Sequence, residues 1–284
     1  MPLSKNIIKM LRKLISILVV TVASFYIFFI FTVVNNYAKQ ISNDKSSTNN
    51  RSVYWCKELH WRMPPLPFAI ALASYPGSGN TWLRYLLQQT TGIITGSVYL
   101  DYNLRSNGFP AENISDGSVL VVKTHQYPPK TLEQFESAVL LIRNPRDAIL
   151  AEFNRHNSGH TGNAPKSAFE IPALKRLVWF PYFSTQLRDW EYFHNLWLTK
   201  FPGQVYIVFY EALLTDTRKT LLGILNFLNI TVTEDDMNCA LANKEGLYKR
   251  KKKYKEFDPY THDMYRQIDI VRTRVYTKII ESIK

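Results

Sequence analysis

Ser74-Tyr75-Pro76-Gly77-Ser78-Gly79-Asn80-Thr81-Trp82 is the stretch whose reading decides the fold. An apolar run, Phe68 to Ala73, precedes it and reads as a buried strand. Trp82 to Gln89 follows and reads as a helix. A strand, a tight turn with two glycines and a helix start form an anion cradle. Glycine reaches φ > 0 without steric cost and lets a ligand approach the backbone. The free N–H groups of the first helical turn point at an anion, and the helix dipole favours negative charge there. Gly77 and Gly79 shape the turn. Ser78, Asn80 and Thr81 are expected to add side-chain donors. The expected fold class is α/β: a P-loop-like, three-layer fold with a central, mainly parallel sheet.

The nucleotide-triphosphate loop carries lysine and then Ser or Thr after its last glycine. Here Asn80 follows Gly79. Two further apolar runs, Ser118–Val122 and Ala138–Ile142, read as strands that end in Lys123-Thr124-His125 and Arg143-Asn144-Pro145. Neither of these two triplets holds an acidic residue for the magnesium that a γ-phosphate needs. A cradle, a Lys/His pair and an arginine suit a less charged group, such as a sulfuryl group. Ligands in open α/β sheets bind at the carboxyl ends of the strands. Lys123 is placed to neutralise charge on a leaving oxygen. His125 is placed to take a proton from an acceptor hydroxyl, its ordinary pKa being near neutrality. Arg143 can grip a terminal phosphate with two parallel hydrogen bonds. No metal site is expected, since the only cysteines, Cys56 and Cys239, form no C-x-x-C pair.

These segments resemble the sulfotransferases, which use 3′-phosphoadenosine 5′-phosphosulfate (PAPS) as donor. The closer resemblance is to the WSC-domain-containing sulfotransferases, described as sialate O-sulfotransferases. It is carried by residues 74–82, by Val122-Lys123-Thr124-His125 and Leu141-Ile142-Arg143-Asn144-Pro145, and by Ala151-Glu152-Phe153-Asn154-Arg155, Gly159-His160 and Asn243-Lys244-Glu245-Gly246. With two cysteines the chain holds no cysteine-rich WSC module. The resemblance implies that the turn binds the 5′-phosphosulfate and that the segment from Arg143 binds the 3′-phosphate. It implies that Trp82 stacks on the adenine, that Tyr210 lies near it, and that Lys249 and Arg250 clasp the 3′-phosphate. It implies a glycan acceptor, narrowed towards sialic acid. Two departures stand out. Cytosolic sulfotransferases have lysine where this chain has Gly77, for which Lys123 or Arg84 is the expected substitute. They have serine where it has Ala151.

Leu14 to Val34 is an almost unbroken apolar run, and about 20 such residues cross a bilayer. Lys5, Lys9, Arg12 and Lys13 precede it. The positive-inside rule then leaves residues 1–13 cytosolic and the bulk of the chain lumenal. The bulky Phe25–Phe31 argues for a retained anchor over a cleaved signal peptide. Residues 35–66 read as a stem and 67–284 as the catalytic domain, in a type II, single-pass Golgi protein. Lumenal placement makes Asn50, Asn113 and Asn229 candidate glycosylation sites. It also permits a Cys56–Cys239 disulfide. Two separate thiols, or a homodimer joined through the stem cysteine, are the alternatives.

The 284 residues, 46% of them hydrophobic, suffice for one sizeable core, and the net charge of +12 fits an anionic ligand or a membrane surface. No zinc-finger spacing or basic heptad region points to nucleic acid. Trp179, Trp190 and Trp197 lie in a helical pattern and are expected in the core. Tyr99, Tyr102 and Phe109 lie in a loop-rich segment and are also read as packing. Gln204–Glu211 reads as a fourth strand, Thr217–Leu228 as an amphipathic helix and 261–284 as a closing helix. Two rival functions follow from the same residues. One is a magnesium-dependent kinase. The other is an anchored glycan-binding protein whose site has decayed at Gly77 and Ala151.

Overall fold

The computed structural model describes residues 53–159, 162–169, 179–248 and 257–283. The anchor expected at 14–34, the first part (35–52) of the stem expected at 35–66, and the basic pair Lys249 and Arg250 lie outside the described residues. Among the described residues no helix is long and apolar enough to cross a membrane.

Five strands form one parallel sheet in the order β2-β3-β1-β4-β5. They are β1 Ala69–Ser74, β2 Gly96–Ser97, β3 Val122–Thr124, β4 Phe135–Ile142 and β5 Gln204–Phe209. The helices are α1 Asn80–Thr91, α2 Tyr102–Ser106, α3 Pro145–Ser158, α4 Lys166–Phe169, α5 Trp179–Thr199, α6 Tyr210–Thr215, α7 Thr217–Phe227, α8 Glu234–Ala242 and α9 His262–Ile283.

The two faces of β1 explain the layers. Successive side chains of a strand point to opposite faces. Ala69, Ala71 and Ala73 face a core shared with Ala148 and Ile149 of α3, Phe183 and Trp190 of α5, and Val275 of α9. Ile70 and Leu72 face the other core, with Leu83 and Leu86 of α1 and Leu221 of α7. Small residues on the first face leave room for the aromatic side chains of α5. Trp179, Trp190 and Trp197 are all buried there, as their spacing predicts.

Two strand readings shift. Val122–Thr124 is the segment that pairs with β1, so Lys123 lies inside a strand and not past its end. Residues 118–121 come before that ladder and bond to separate pieces of chain: Arg62 N–H to Ser118 O, Leu120 N–H to Ile94 O and Gly96 N–H to Val121 O. β5 stops at Phe209, and Tyr210-Glu211 opens α6. There Glu211 accepts from the Asn144 N–H at 2.9 Å, which anchors the start of α3.

Residues 53–66, read from composition as the end of the stem, are held against the domain. His60 donates its N–H to Gly92 O and accepts from the Ile94 N–H, both just after α1. Cys56 is joined to Cys239 of α8 in a disulfide with Cα atoms 5.9 Å apart. The order of this segment comes from that covalent tie and from Gln89, which accepts from the Cys56 N–H and donates to Tyr54 O. Asn113 and Asn229 are both exposed and both at positive φ.

Candidate active site

β1, β3, β4 and β5 all end on one edge of the sheet, and that edge carries the residues singled out above. The order β2-β3-β1-β4-β5 places β1 between strands that follow it in opposite directions, the switch point where α/β sheets open a crevice.

The cradle leaves β1 at Ser74. Gly77 (φ 78°) and Gly79 (φ 93°) are both left-handed. Gly79 stands at the N-cap of α1 with no side chain bonded to the first-turn amides, and the first turn holds no acidic residue. Those N–H groups and the positive dipole end are therefore open to an anion. Ser78 is fully buried and its Oγ has no partner among the described residues. A buried hydroxyl left unsatisfied costs about 1–3 kcal/mol, so a phosphate or sulfate oxygen arriving there would find a vacant donor.

Arg143 follows β4. Its Nη1 donates to Gly77 O at 2.9 Å and its guanidinium lies over the Tyr210 ring at 4.3 Å. Its buried Nε has no partner among the described residues. Tyr210 also closes the cradle from above: a Cβ on Gly79 would lie 2.5 Å from its ring. Trp82 meets Tyr210 edge to face at 5.7 Å and donates its indole N–H to Lys244 O at 2.7 Å. The structure thus brings Gly77, Ser78, Gly79, Trp82, Arg143 and Tyr210 together. Thr81 is on the same turn, half-buried.

Asn80 differs from its expected role. Its Nδ2 donates to Leu72 O at 2.9 Å and to Ser74 Oγ at 3.0 Å. Both amide protons face β1, so the side chain offers no donor to the cradle.

His125 sits beside Ser74 because β1 and β3 run in register, Ala73 opposite Thr124. Its Nδ1 lies 2.7 Å from Ser74 O. A carbonyl only accepts, so Nδ1 carries the proton and Nε2 is left with its lone pair. Burial, and then the Lys123 charge, push the imidazole down to about 3. The ring is neutral near pH 7. Lys123 is 7% exposed. Burial, and then Arg84, push its ammonium down to about 8.

Tyr99 touches both. Its Oη accepts from the His125 N–H at 3.0 Å, its ring stacks on the imidazole at 5.6 Å, and the Lys123 ammonium lies 5.7 Å from its centroid. The sequence predicts only packing for Tyr99, because an aperiodic segment gives no signal of where a side chain points. Ser74, the small polar residue closing an apolar run, was the legible clue to the other partner of His125.

Arg84 does not replace the cradle lysine. It is fully buried, with Nη1 2.6 Å from Glu112 Oε1, Nε 3.0 Å from Thr95 Oγ1 and Nη2 3.0 Å from Thr95 O. Its face covers Phe109. Nor has Gly77 room for a side chain. A Cβ there would press into the Ala148 carbonyl and lie 2.9 Å from Glu152 N, so α3 packs directly on the turn. Glu152 and Arg155 pair through two hydrogen bonds, at 2.7 and 2.5 Å. Arg146 is exposed, 3.5 Å from Asp258, as a solvated helix residue would be. Among the described residues no group of three His, Cys, Asp or Glu forms a metal-holding cluster.

The family described as "Sulfotransferase domain" matches residues 68–269, from the start of β1 into α9. The chain belongs to the sulfotransferase family. A WSCD family member of Aedes aegypti is 48% identical over 249 residues, covering 79% of this chain and 78% of its own. One from Drosophila melanogaster is 47% identical over 211 residues, covering 74% of this chain and 66% of its own. These identities make the chain a WSCD-family sulfotransferase. Sulfotransferase 2A1 of Macaca fascicularis is 22% identical over 203 residues, 66% of this chain and 68% of its own. A mouse sulfotransferase crystallised with PAP has a TM-score of 0.44 and 20% identity, covering 74% of this chain and 84% of that one.

Proposed function

We propose that this WSCD-family sulfotransferase transfers a sulfuryl group from PAPS to a hydroxyl of a glycan. The observation that carries the reading is the imidazole of His125, locked by Ser74 O with Nε2 unprotonated, at the edge where the uncapped start of α1 opens. The cradle fits the donor: open amides, the unpartnered Ser78 Oγ and the unpartnered Arg143 Nε supply donors for phosphate and sulfate oxygens. Trp82 and Tyr210 supply aromatic surface for adenine, and Lys249 and Arg250 supply charge for a 3′-phosphate.

PAPS contributes an activated sulfuryl group on a phosphate leaving group. His125 Nε2 accepts the acceptor's hydroxyl proton as the new oxygen–sulfur bond forms. The bridging sulfur–oxygen bond breaks, its electron pair stays on the departing phosphate, and Lys123 meets the charge that develops there. Charge stabilisation in a buried site is worth more than in water, and both groups lie in one.

An acidic sugar such as sialic acid is supported by the resemblance to the sialate O-sulfotransferases; Arg155, 42% exposed, is already bonded to Glu152 through Nε and Nη2 and adds no free fork for a carboxylate. The apolar run 14–34, the sequons and the disulfide support a type II Golgi protein with this domain in the lumen.

Incubating the purified chain with radiolabelled PAPS and a panel of sialylated and neutral glycans tests the reading. Labelled glycan is expected, with transfer lost in His125→Ala by about 10²–10⁴-fold and donor affinity kept. ATP-dependent phosphoryl transfer, or glycan binding with no donor turnover, would replace it with one of the rival functions.

A further inference from the structure

We infer that Asn80 is a positioning residue for the His125 base and ties it to the start of the donor-binding helix. The inference rests on the sulfuryl-transfer reading above. Asn80 is the first residue of α1 and is 4% exposed. Its neighbour Gly79 caps the helix through backbone alone, which leaves the Asn80 side chain free to fold back on β1.

The assignment of its amide follows from chemistry. Leu72 O can only accept, so the atom 2.9 Å away is Nδ2. The second Nδ2 proton goes to Ser74 Oγ. That hydroxyl lies 3.4 Å from His125 Nδ1, beside the 2.7 Å contact of Nδ1 with Ser74 O. Asn80 thus bonds the Leu72 carbonyl and the side chain of Ser74, the residue whose own carbonyl sets the imidazole tautomer. Its Oδ1, buried and without a partner among the described residues, is an acceptor and would repel phosphate oxygens.

A phosphate ligand and a positioning residue predict different losses. Without Asn80 the Ser74 peptide gains freedom, the His125 proton divides between Nδ1 and Nε2, and the fraction of molecules with a competent base falls. Donor affinity rests on other groups and stays.

The test compares Asn80→Ala and Asn80→Leu with the wild-type chain. Leucine fills the same space with no donor, so either variant that folds carries the test. Three readings are taken: kcat, the dissociation constant for adenosine 3′,5′-bisphosphate, and the imidazole tautomer of His125 by nitrogen-15 NMR without ligand. Expected are a kcat lower by about 10- to 100-fold, an unchanged dissociation constant and a mixed tautomer. A dissociation constant that weakens in step with kcat, with the tautomer intact, would make Asn80 a phosphate ligand and overturn the inference. No change in any reading would overturn it as well. The tautomer needs no turnover, so failure of the wild-type chain to transfer sulfate would count against the proposed function alone.

Discussion

His125 and Lys123 lie two residues apart in one buried segment, and burial pushes both towards their neutral forms. In the proposed transfer the neutral form is the working form of the imidazole but not of the ammonium. With His125 pushed down to about 3 and Lys123 to about 8, the free enzyme has a base that stays neutral through mild acid and a cation that is lost as pH rises through about 8. The kcat/KM profile is therefore expected to be flat from about pH 5 to 7 and to fall above about 8. A bound anionic donor favours the charged lysine, so the alkaline limb of kcat should lie higher than that of kcat/KM. An acid limb centred on the ordinary imidazole value would show that His125 is solvated. Gly77 gives a second expectation at this scale. Lysine at this position, as in the cytosolic enzymes, would meet Ala148 O and Glu152 N and would hold a φ of 78° that side chains resist. Gly77→Lys should lower the melting temperature and abolish transfer; a folded variant with improved donor affinity would contradict the packing of α3 on the turn. That the glycine marks a departure was legible in the sequence. That α3 fills the space was not, because the contact joins residues 71 positions apart.

α1 shows how far an element can be read and where the reading stops. Its position, its apolar face and the strand before it followed from Phe68–Ala73 and Trp82–Gln89, since a strand run, a glycine turn and a helical period leave one arrangement. α7 and α9 were likewise legible from their patterns and lie where the patterns put them. The pairing register of β3 was not, because a run of Ser-Val-Leu-Val-Val fits a strand anywhere along its length. Arg84 on α1 is the sharper case. A charged residue one turn after the cradle invites a role with the anion, yet it is fully buried in a pair with Glu112. Neither residue's spacing reveals a partner 28 positions away. Breaking a buried pair by removing one side strands a charge, at a cost of about 3–5 kcal/mol. Arg84→Ala should thus destabilise the domain strongly in a thermal melt. The double change Arg84→Met with Glu112→Leu should recover much of that loss, and donor affinity measured on the folded double variant should stay near wild type. A donor affinity that collapses in the folded double variant would return Arg84 to the cradle.

Across the whole molecule, one covalent tie links the first described segment to the helix that precedes the basic run. Cys56–Cys239 closes a loop of 183 residues. Around it Asn243 donates to Cys239 O, Tyr85 donates to Asn243 O, and Trp82 donates to Lys244 O. The Tyr248 ring then packs on Tyr85 and Phe109. Residues 243–248 are in this way laid across α1, and they lead directly into Lys249 and Arg250. The disulfide therefore acts on two quantities at once. In the chain-entropy picture a loop of this length stabilises the fold by about 5 kcal/mol, because the cross-link restricts the unfolded chain. For a domain of this size that corresponds to roughly 10–20 °C in melting temperature. It also fixes the end of α8, and the chain runs on from there to Lys249 and Arg250, which are proposed to hold the 3′-phosphate. Reduction, or Cys56→Ser, should lower the melting temperature by that order. In the protein that remains folded, it should weaken binding of adenosine 3′,5′-bisphosphate more than that of adenosine 5′-monophosphate, since in the proposed reading only the former engages Lys249 and Arg250. Calorimetric titration of both nucleotides before and after reduction measures the difference. Equal weakening of the two would mean that the tie supports the cradle as a whole, and no weakening would separate the disulfide from the donor site altogether.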